Sequence, residues 1–331
     1  MNNWQDIYGH EQIKQDLQLL LQMKRLPHAL LFSGIEGIGK LLTAKALAKS
    51  LLCQNPQINK TACNQCVSCK LFDEKNHPDY HLVEPEGKTK KLIKIEQIRK
   101  MQAQIALSPY LSDKKVVIIN DAQYLNDMAE NSLLKTLEEP VGEVFFILIT
   151  ANKEMLLSTI LSRCMKIHFA PMIVDDVTKV LVEKLAVKES DAQIMARLSG
   201  GSVKIAMQFM DNDALVLRDK ALYCLEENFT VPKMWSFVDE LMNLERIQVN
   251  EFISHLQMLL RDLLLLKINK ESNLICNQDI KQRLVNIQSK YGEIDLIAKL
   301  DLVEDILKRL NSNADIKLIL QKFILEWQNR D

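Results

Sequence analysis

Glycine and proline are scarce in this chain, nine and eight respectively among 331 residues. All-β folds use these residues in frequent turns, so their scarcity leaves room for long helices and little for an all-β architecture. Long apolar runs are missing as well. The most hydrophobic stretch, Leu256 to Leu266, is interrupted by Arg261 and Asp262. It falls far short of the roughly 20 apolar residues that span a bilayer. Neither sign of charge is in excess: the formal net charge is −1, which excludes a whole-protein basic field drawing the chain onto nucleic acid. Met1 to Gln12 carries Asp6 and Glu11 without an apolar core, which argues against a signal peptide. These absences describe a soluble, cytoplasmic protein without a membrane partner. The length allows two or three domains.

Residues 34 to 40 read G-I-E-G-I-G-K, a phosphate-binding loop complete through its lysine, and the next residue is Leu41. In the full signature the glycines let backbone N–H groups cradle phosphates, the lysine reaches the terminal phosphates, and a following Ser or Thr holds Mg²⁺. Gly34, Gly37, Gly39 and Lys40 are therefore candidate nucleotide-binding residues, but Leu41 cannot ligate a hard cation that takes oxygen ligands. His28 to Phe32 before the loop suits a buried strand, and Leu41 to Leu52 after it reads as a helix with Leu42, Ala46 and Leu47 inward. An ordinary βα turn with glycines is the alternative. A second strand, Lys115 to Asp121, ends in an acid where phosphate-loop enzymes keep one beside Mg²⁺. Asp121 reads equally as a strand end or helix cap. Ala122 stands where many such enzymes place the glutamate that polarises water. Leu41 and Ala122 together predict severely impaired hydrolysis.

Up to about residue 170, apolar runs alternate with helical patterns. The runs are Ala29–Phe32, Tyr80–Val83, Val116–Asn120, Val144–Thr150 and Met165–Phe169. Helical spacing appears at Ile13/Leu17/Leu20, at Ile95/Ile98/Ile105, and over Asn126 to Glu139, where Ala129, Leu133 and Leu137 share a face before Pro140. This alternation predicts a parallel sheet covered on both sides by helices. Pro171 to about Asn212 is compactly helical, broken by Gly200-Gly201-Ser202, with Ser202 placed to cap the next helix. Amphipathic helices, including Phe252–Lys267 and Ala314–Trp327, fill the rest. The expected organisation is an α/β domain over 1–170, a small helical lid over 171–212 and an all-α domain over 213–331.

Cys53, Cys63, Cys66 and Cys69 fall in one polar segment, 53–69, with spacing C-x9-C-x2-C-x2-C. Four thiolates converging at this spacing suit tetrahedral Zn²⁺ in a closed, structural site. Disulfides are the first alternative, disfavoured without a secretory signal. An iron–sulfur cluster is the second, but the nearby fourth Cys and Pro of the ferredoxin run are absent after Cys69. Cys164, Cys224 and Cys276 are scattered and read as small core residues.

Several segments in order carry a resemblance: R-L-P-H-A-L-L-F-S-G at 25–34, the cysteine cluster, H-P-D-Y at 77–80, N-S-L-L-K-T-L-E-E-P at 131–140, F-F-I-L-I-T at 145–150 and S-R-C at 162–164. Over about residues 5 to 205 the chain resembles bacterial DNA polymerase III clamp-loader subunits of the AAA+ superfamily. The C-terminal third matches only as a helical domain of suitable length. The resemblance implies that Arg163 is an arginine finger acting in trans on a neighbouring subunit's ATP site. It puts Thr150 at the family's polar position ending the fourth strand, and Lys204 where the nucleotide sensor of the second domain usually has Arg. It further implies a hetero-pentamer with tau/gamma- and delta-type subunits, a C-terminal collar, a sliding clamp as partner, and primer-template DNA contacted through the assembly. With Leu41 and Ala122, the leading expectation is a non-hydrolysing subunit in which ATP binding is doubtful but not excluded, since Lys40 is retained. The alternative is an active tau/gamma-like motor using Lys40 and Asp121. A DNA-binding module built on Lys88, Lys90, Lys91, Lys94, Arg99 and Lys100 is a third reading, diluted by Glu84, Glu86 and Glu96.

Overall fold

A computed structural model describes residues 3–87, 91–210, 212–227, 229–269, 274–310 and 314–328. The chain forms two compact units, one of Met1–Ala186 with Gly200–Lys204, the other of Val187–Ser199 with Ile205–Asp331.

The first unit holds α1 (Glu11–Gln22), β1 (Ala29–Ser33), α2 (Lys40–Leu52), α3 (Val67–Asp73), β2 (Tyr80–Val83), α4 (Ile95–Ile105) and β3 (Lys115–Ile119). It continues with α5 (Asp127–Glu138), β4 (Val144–Thr150), α6 (Ser158–Leu161), β5 (Met165–His168) and α7 (Val174–Leu185). The five strands are parallel in the order β2-β3-β4-β1-β5. Each of the five runs becomes a strand, and those of β1, β3 and β4 are buried along nearly their whole length because apolar, largely β-branched and aromatic residues tolerate burial on both faces, whereas the edge strands β2, with His81, and β5, with Lys166 and His168, are only partly covered. Ala29, Leu31, Val117, Ile119, Phe146 and Leu148 pack with Ile98, Met101, Ala129, Leu133 and Leu137 of α4 and α5. The alternate residues Leu30, Phe32, Val116, Ile118 and Ile147 point to the opposite face and are equally buried, and α2 packs against β3 and β4. Burying each such side chain contributes about 1.5–3 kcal/mol.

The stripe expected on α2 is partly different. Ala46 and Leu47 are buried, but Leu42 is 44% exposed. The helix is buried on most sides, at Thr43, Ala44, Ala46, Leu47 and Ala48 among others, so its inner face is wider than a three-residue stripe. Leu42 lies in the narrow strip left to solvent. The helix α5 keeps its expected face and starts where the Asn126 side chain accepts the Ala129 N–H at 2.8 Å.

The second unit includes α8 (Glu189–Leu198), α10 (Asn212–Glu226), α11 (Val231–Met242), α12 (Arg246–Ile268), α13 (Lys281–Gln288), α14 (Glu293–Leu310) and α15 (Ile316–Gln328), while α9 (Val203–Gln208) begins at the edge of the first unit's short return segment. Its core is built around α12, with Phe252, Leu256, Leu259 and Leu263 fully buried beside Val303, Leu320 and Phe323. Asp262, the acid that interrupts the apolar run, is also buried, and it accepts N–H groups of Cys276 and Asn277 at 3.1 and 2.9 Å. A buried carboxylate is tolerated when such donors replace water. Among the described residues no helix is long and apolar enough to cross a membrane.

Candidate functional sites

The neighbouring strands β1 and β4 send their connections in opposite directions, β1 toward β2 and β4 toward β5, which opens a crevice at their carboxyl ends where open α/β sheets bind ligands. The glycine loop fills that place. Gly34 adopts φ 146°, and a Cβ there would stand 2.3 Å from the Phe169 carbonyl oxygen. Gly37, at φ 80°, would bring a Cβ within 2.4 Å of Lys204 Cβ and 2.5 Å of Ser202 Oγ. Both positions therefore demand glycine on two counts, backbone conformation and room.

The Lys40 side chain turns back into its own loop. Its ammonium donates to the carbonyls of Gly34 at 2.5 Å and Ile35 at 2.6 Å, and the residue is 6% exposed. Burial pushes its pKa down to about 8, against the opposing pull of Asp121 and Glu36. Leu41 offers no oxygen. The nearest hydroxyl in the helix, on buried Thr43, donates to the Gly39 carbonyl at 3.0 Å. Ser202 and the first residues of α9 lie over the loop: Ser202 Oγ donates to Glu36 O at 2.7 Å, Val203 N donates to Gly37 O at 3.0 Å, and Lys204 Nζ pairs with Glu36 Oε1 at 2.5 Å.

Asp121 sits beyond β3 in the left-handed region, at φ 53°, and makes no side-chain cap. Ala122 is buried. Thr150 is also buried, and its hydroxyl donates to Gln123 Oε1 and Asn152 O, both at 2.9 Å. Gln123 also accepts the Ala151 N–H at 3.2 Å, tying the ends of β3 and β4 together. Sequence reasoning passed over Gln123; its position two residues after the strand-end acid was the available signal.

Gly34, Gly37, Gly39, Lys40, Asp121 and Lys204 thus gather at one place, the last through Glu36. Arg163 does not belong to it. That residue follows α6, where Nη1 donates to Thr159 O at 2.7 Å and Nη2 forms an ion pair with Glu138. Its neighbour Cys164 is buried, which pushes the thiol up to about 11.

The four cysteine sulfurs all lie within 4.8 Å of one another. Cys53 and Cys66 stand 3.9 Å apart, and Cys63 and Cys69 4.0 Å. Disulfides, at about 2.05 Å, are excluded by those distances. Four Zn–S bonds of about 2.3 Å in a tetrahedron put sulfurs about 3.8 Å apart, so the donor set fits such an ion. Backbone N–H groups of Cys63, Cys66 and Cys69 point at the sulfurs of Cys53, Cys63 and Cys66 at 3.3, 3.4 and 3.4 Å. The N–H of Gln65 leads in holding the Cys63 thiol down at about 6, while burial pushes Cys53 and Cys69 up.

Ser68 secures this module, donating to Leu52 O at 2.6 Å and meeting His77 Nε2 at 2.8 Å. His77 opens the H-P-D-Y segment, whose Asp79 accepts backbone N–H groups from Tyr110, Leu111 and Ser112 at 2.7, 2.8 and 2.9 Å. The motif is thus an architectural device at the sheet edge. In the basic stretch, Lys88 and Lys90 lie outside the described residues; Lys91, Lys94, Arg99 and Lys100 are exposed and interleaved with exposed Glu84 and Glu96. That is a solvated mixed-charge face.

A five-stranded parallel sheet with a glycine loop leaving β1, between β4 and the edge strand β5, and helices after it make this a phosphate-loop type of α/β protein. Residues 9–173 match the family described as DNA polymerase III, delta subunit. The chain is 32% identical over 316 residues to DNA polymerase III subunit delta' of Bacillus subtilis, covering 93% of each. With the Escherichia coli subunit delta' it shares 35% over 212 residues, 64% of this chain and 62% of that one. With Bacillus subtilis subunit tau it shares 32% over 213 residues, only 37% of that longer protein. The chain belongs to the DNA polymerase III delta-prime subunit family.

Proposed function

We propose that this chain is a non-hydrolysing, zinc-containing subunit of the clamp loader, helping to load a sliding clamp onto primed DNA in the cytoplasm. The observation that carries the reading is the state of the loop: Lys40 donates to the carbonyls of Gly34 and Ile35, and Leu41 supplies no ligand for Mg²⁺. Ala122 supplies no carboxylate to orient water. Purified chain is expected to turn over essentially no ATP. Steady turnover that Lys40→Ala abolishes would instead make it a tau/gamma-like motor.

In this reading the chain assembles with tau/gamma- and delta-type subunits in a hetero-pentamer. Residues 171–212 act as a lid and 213–331 as the collar. The zinc, held by Cys53, Cys63, Cys66 and Cys69, supplies a cross-link within its module and no chemistry of reaction. Arg163 serves a neighbour's ATP site, where a planar guanidinium offers bidentate hydrogen bonds and charge to the terminal phosphate. In a reconstituted complex, Arg163→Ala is expected to leave assembly intact and slow hydrolysis at one site by about 10³–10⁵, so that the total rate falls severalfold. Equal rates at equal assembly would remove Arg163 from the mechanism.

A further inference from the structure

The turn that carries Arg163 is held at both ends by one helix. Ahead of α6, the Leu157 N–H donates to Glu130 Oε1 at 3.3 Å, and Glu130 is buried. After α6, Arg163 Nη2 meets the carboxylate of Glu138. Both acids lie on α5, which Ala129, Leu133 and Leu137 fix into the core. Nη1 is occupied as well, donating to Thr159 O at 2.7 Å and Ser162 Oγ at 3.4 Å.

A guanidinium has five N–H donors in a rigid plane. Here Nε–H and one N–H of Nη2 have no partner among the described residues. Unpartnered N–H donors in such a plane are what a phosphate contact draws on. The side chains of Arg163 and Glu138 are 32% and 48% exposed, so the pair can meet a ligand and adds little to folding stability. Its effect is on direction: a long side chain with many rotamers is confined to one plane.

We propose that Glu138 is the positioning residue for Arg163, orienting the guanidinium so that its unpartnered N–H groups face a phosphoryl group held by an adjacent subunit. This rests on the trans-acting role given to Arg163 above. The same carboxylate leaves the arginine partly neutralised until a phosphate arrives, and orientation outweighs that cost because small displacements of a catalytic group are expensive in rate.

The test compares reconstituted clamp-loader complexes carrying wild-type chain, Glu138→Ala, Glu138→Gln, Arg163→Ala, and the Glu138→Ala/Arg163→Ala pair, with kcat and KM for ATP read at equal assembly. Glu138→Ala is expected to lower kcat at the affected site by about tenfold, with KM and the chain's thermal midpoint unchanged. Glu138→Gln, which keeps a hydrogen-bond acceptor, is expected to fall between. In the Arg163→Ala background, Glu138→Ala is expected to change nothing further. Wild-type rates for Glu138→Ala beside a slow Arg163→Ala would overturn the positioning role while the finger stands. A faster Glu138→Ala complex would make Glu138 a restraint and overturn it too. A further loss in the double variant would make its role structural. If Arg163→Ala alone leaves the rate unchanged, the finger itself is wrong.

Discussion

Replacing Lys40 by methionine isolates what the buried ammonium costs. Methionine keeps an unbranched chain of similar length and removes the charge. Depression of the Lys40 pKa from 10.5 to about 8 corresponds to about 3 kcal/mol against the charged form. Two carbonyls, of Gly34 and Ile35, lose their donor in the variant, at about 1 kcal/mol each. The net expectation at neutral pH is a variant no less stable than wild type, by about 0–1 kcal/mol in its favour. The pH dependence is the sharper readout. Between about pH 8 and 10.5 the unfolded chain holds a proton on Lys40 that the folded chain has released. Wild-type stability therefore gains over that window, relative to Lys40→Met, by about 3 kcal/mol. The gain is absent below pH 8 and complete above 10.5. Urea titrations of both proteins at intervals across this range measure the difference directly, and repeating them with Mg–ATP asks whether the loop is receptive. A nucleotide bound at 100 times its Kd adds about 2.7 kcal/mol; we expect no added stability in either protein. Parallel pH profiles for the two proteins, or ATP stabilisation that Lys40→Met removes, would refute this account of the loop.

Cys69→Ser is expected to remove the single equivalent of zinc measured by metal analysis and to loosen the 53–69 module while the sheet melts as before, because no strand runs through that segment; iron in the wild-type protein would contradict the site. Asp79→Asn weakens the acceptor for three backbone N–H groups and is expected to cost about 2–3 kcal/mol in denaturant midpoints. Burial raises the Asp79 pKa, but the N–H donors of Tyr110, Leu111 and Ser112 outweigh it and leave the carboxyl below its ordinary 3.8. Its contribution is present at neutral pH and lost on acidification below about 4, so wild type and Asp79→Asn should converge there.

The sheet was readable because its inner strands β1, β3 and β4 are nearly uninterrupted apolar runs, and the local order of residues alone marks them. The glycine loop and the cysteine spacing were readable for the same reason, since each is contained in a short segment. What escaped depends on distance along the chain. Gln123 meets Thr150 across 27 residues and Arg163 meets Glu138 across 25, and neither partner has a pattern of its own. Leu42 misled because helical spacing gives a face but not its width. Gly200-Gly201-Ser202 read as a break in a helical region; the place of Ser202 and Lys204 over Gly37 follows only from the folded loop.

The helix that begins with Lys40 ends at Leu52, and its C-cap is Cys53. One rod of 13 residues, about 20 Å long, thus has the phosphate loop at one end and the sulfur cluster at the other. Its amides are protected from exchange with solvent by different neighbours along its length. Along its buried earlier turns the helix packs on β3 and β4, and opening there requires something close to global unfolding. Near Lys49 and Leu52 the covering is α3, through Asp73 and Ser68. Chelation should therefore speed deuterium uptake in the last turn and leave the first turn slow, so that the helix reads out the two ends separately on one exchange profile.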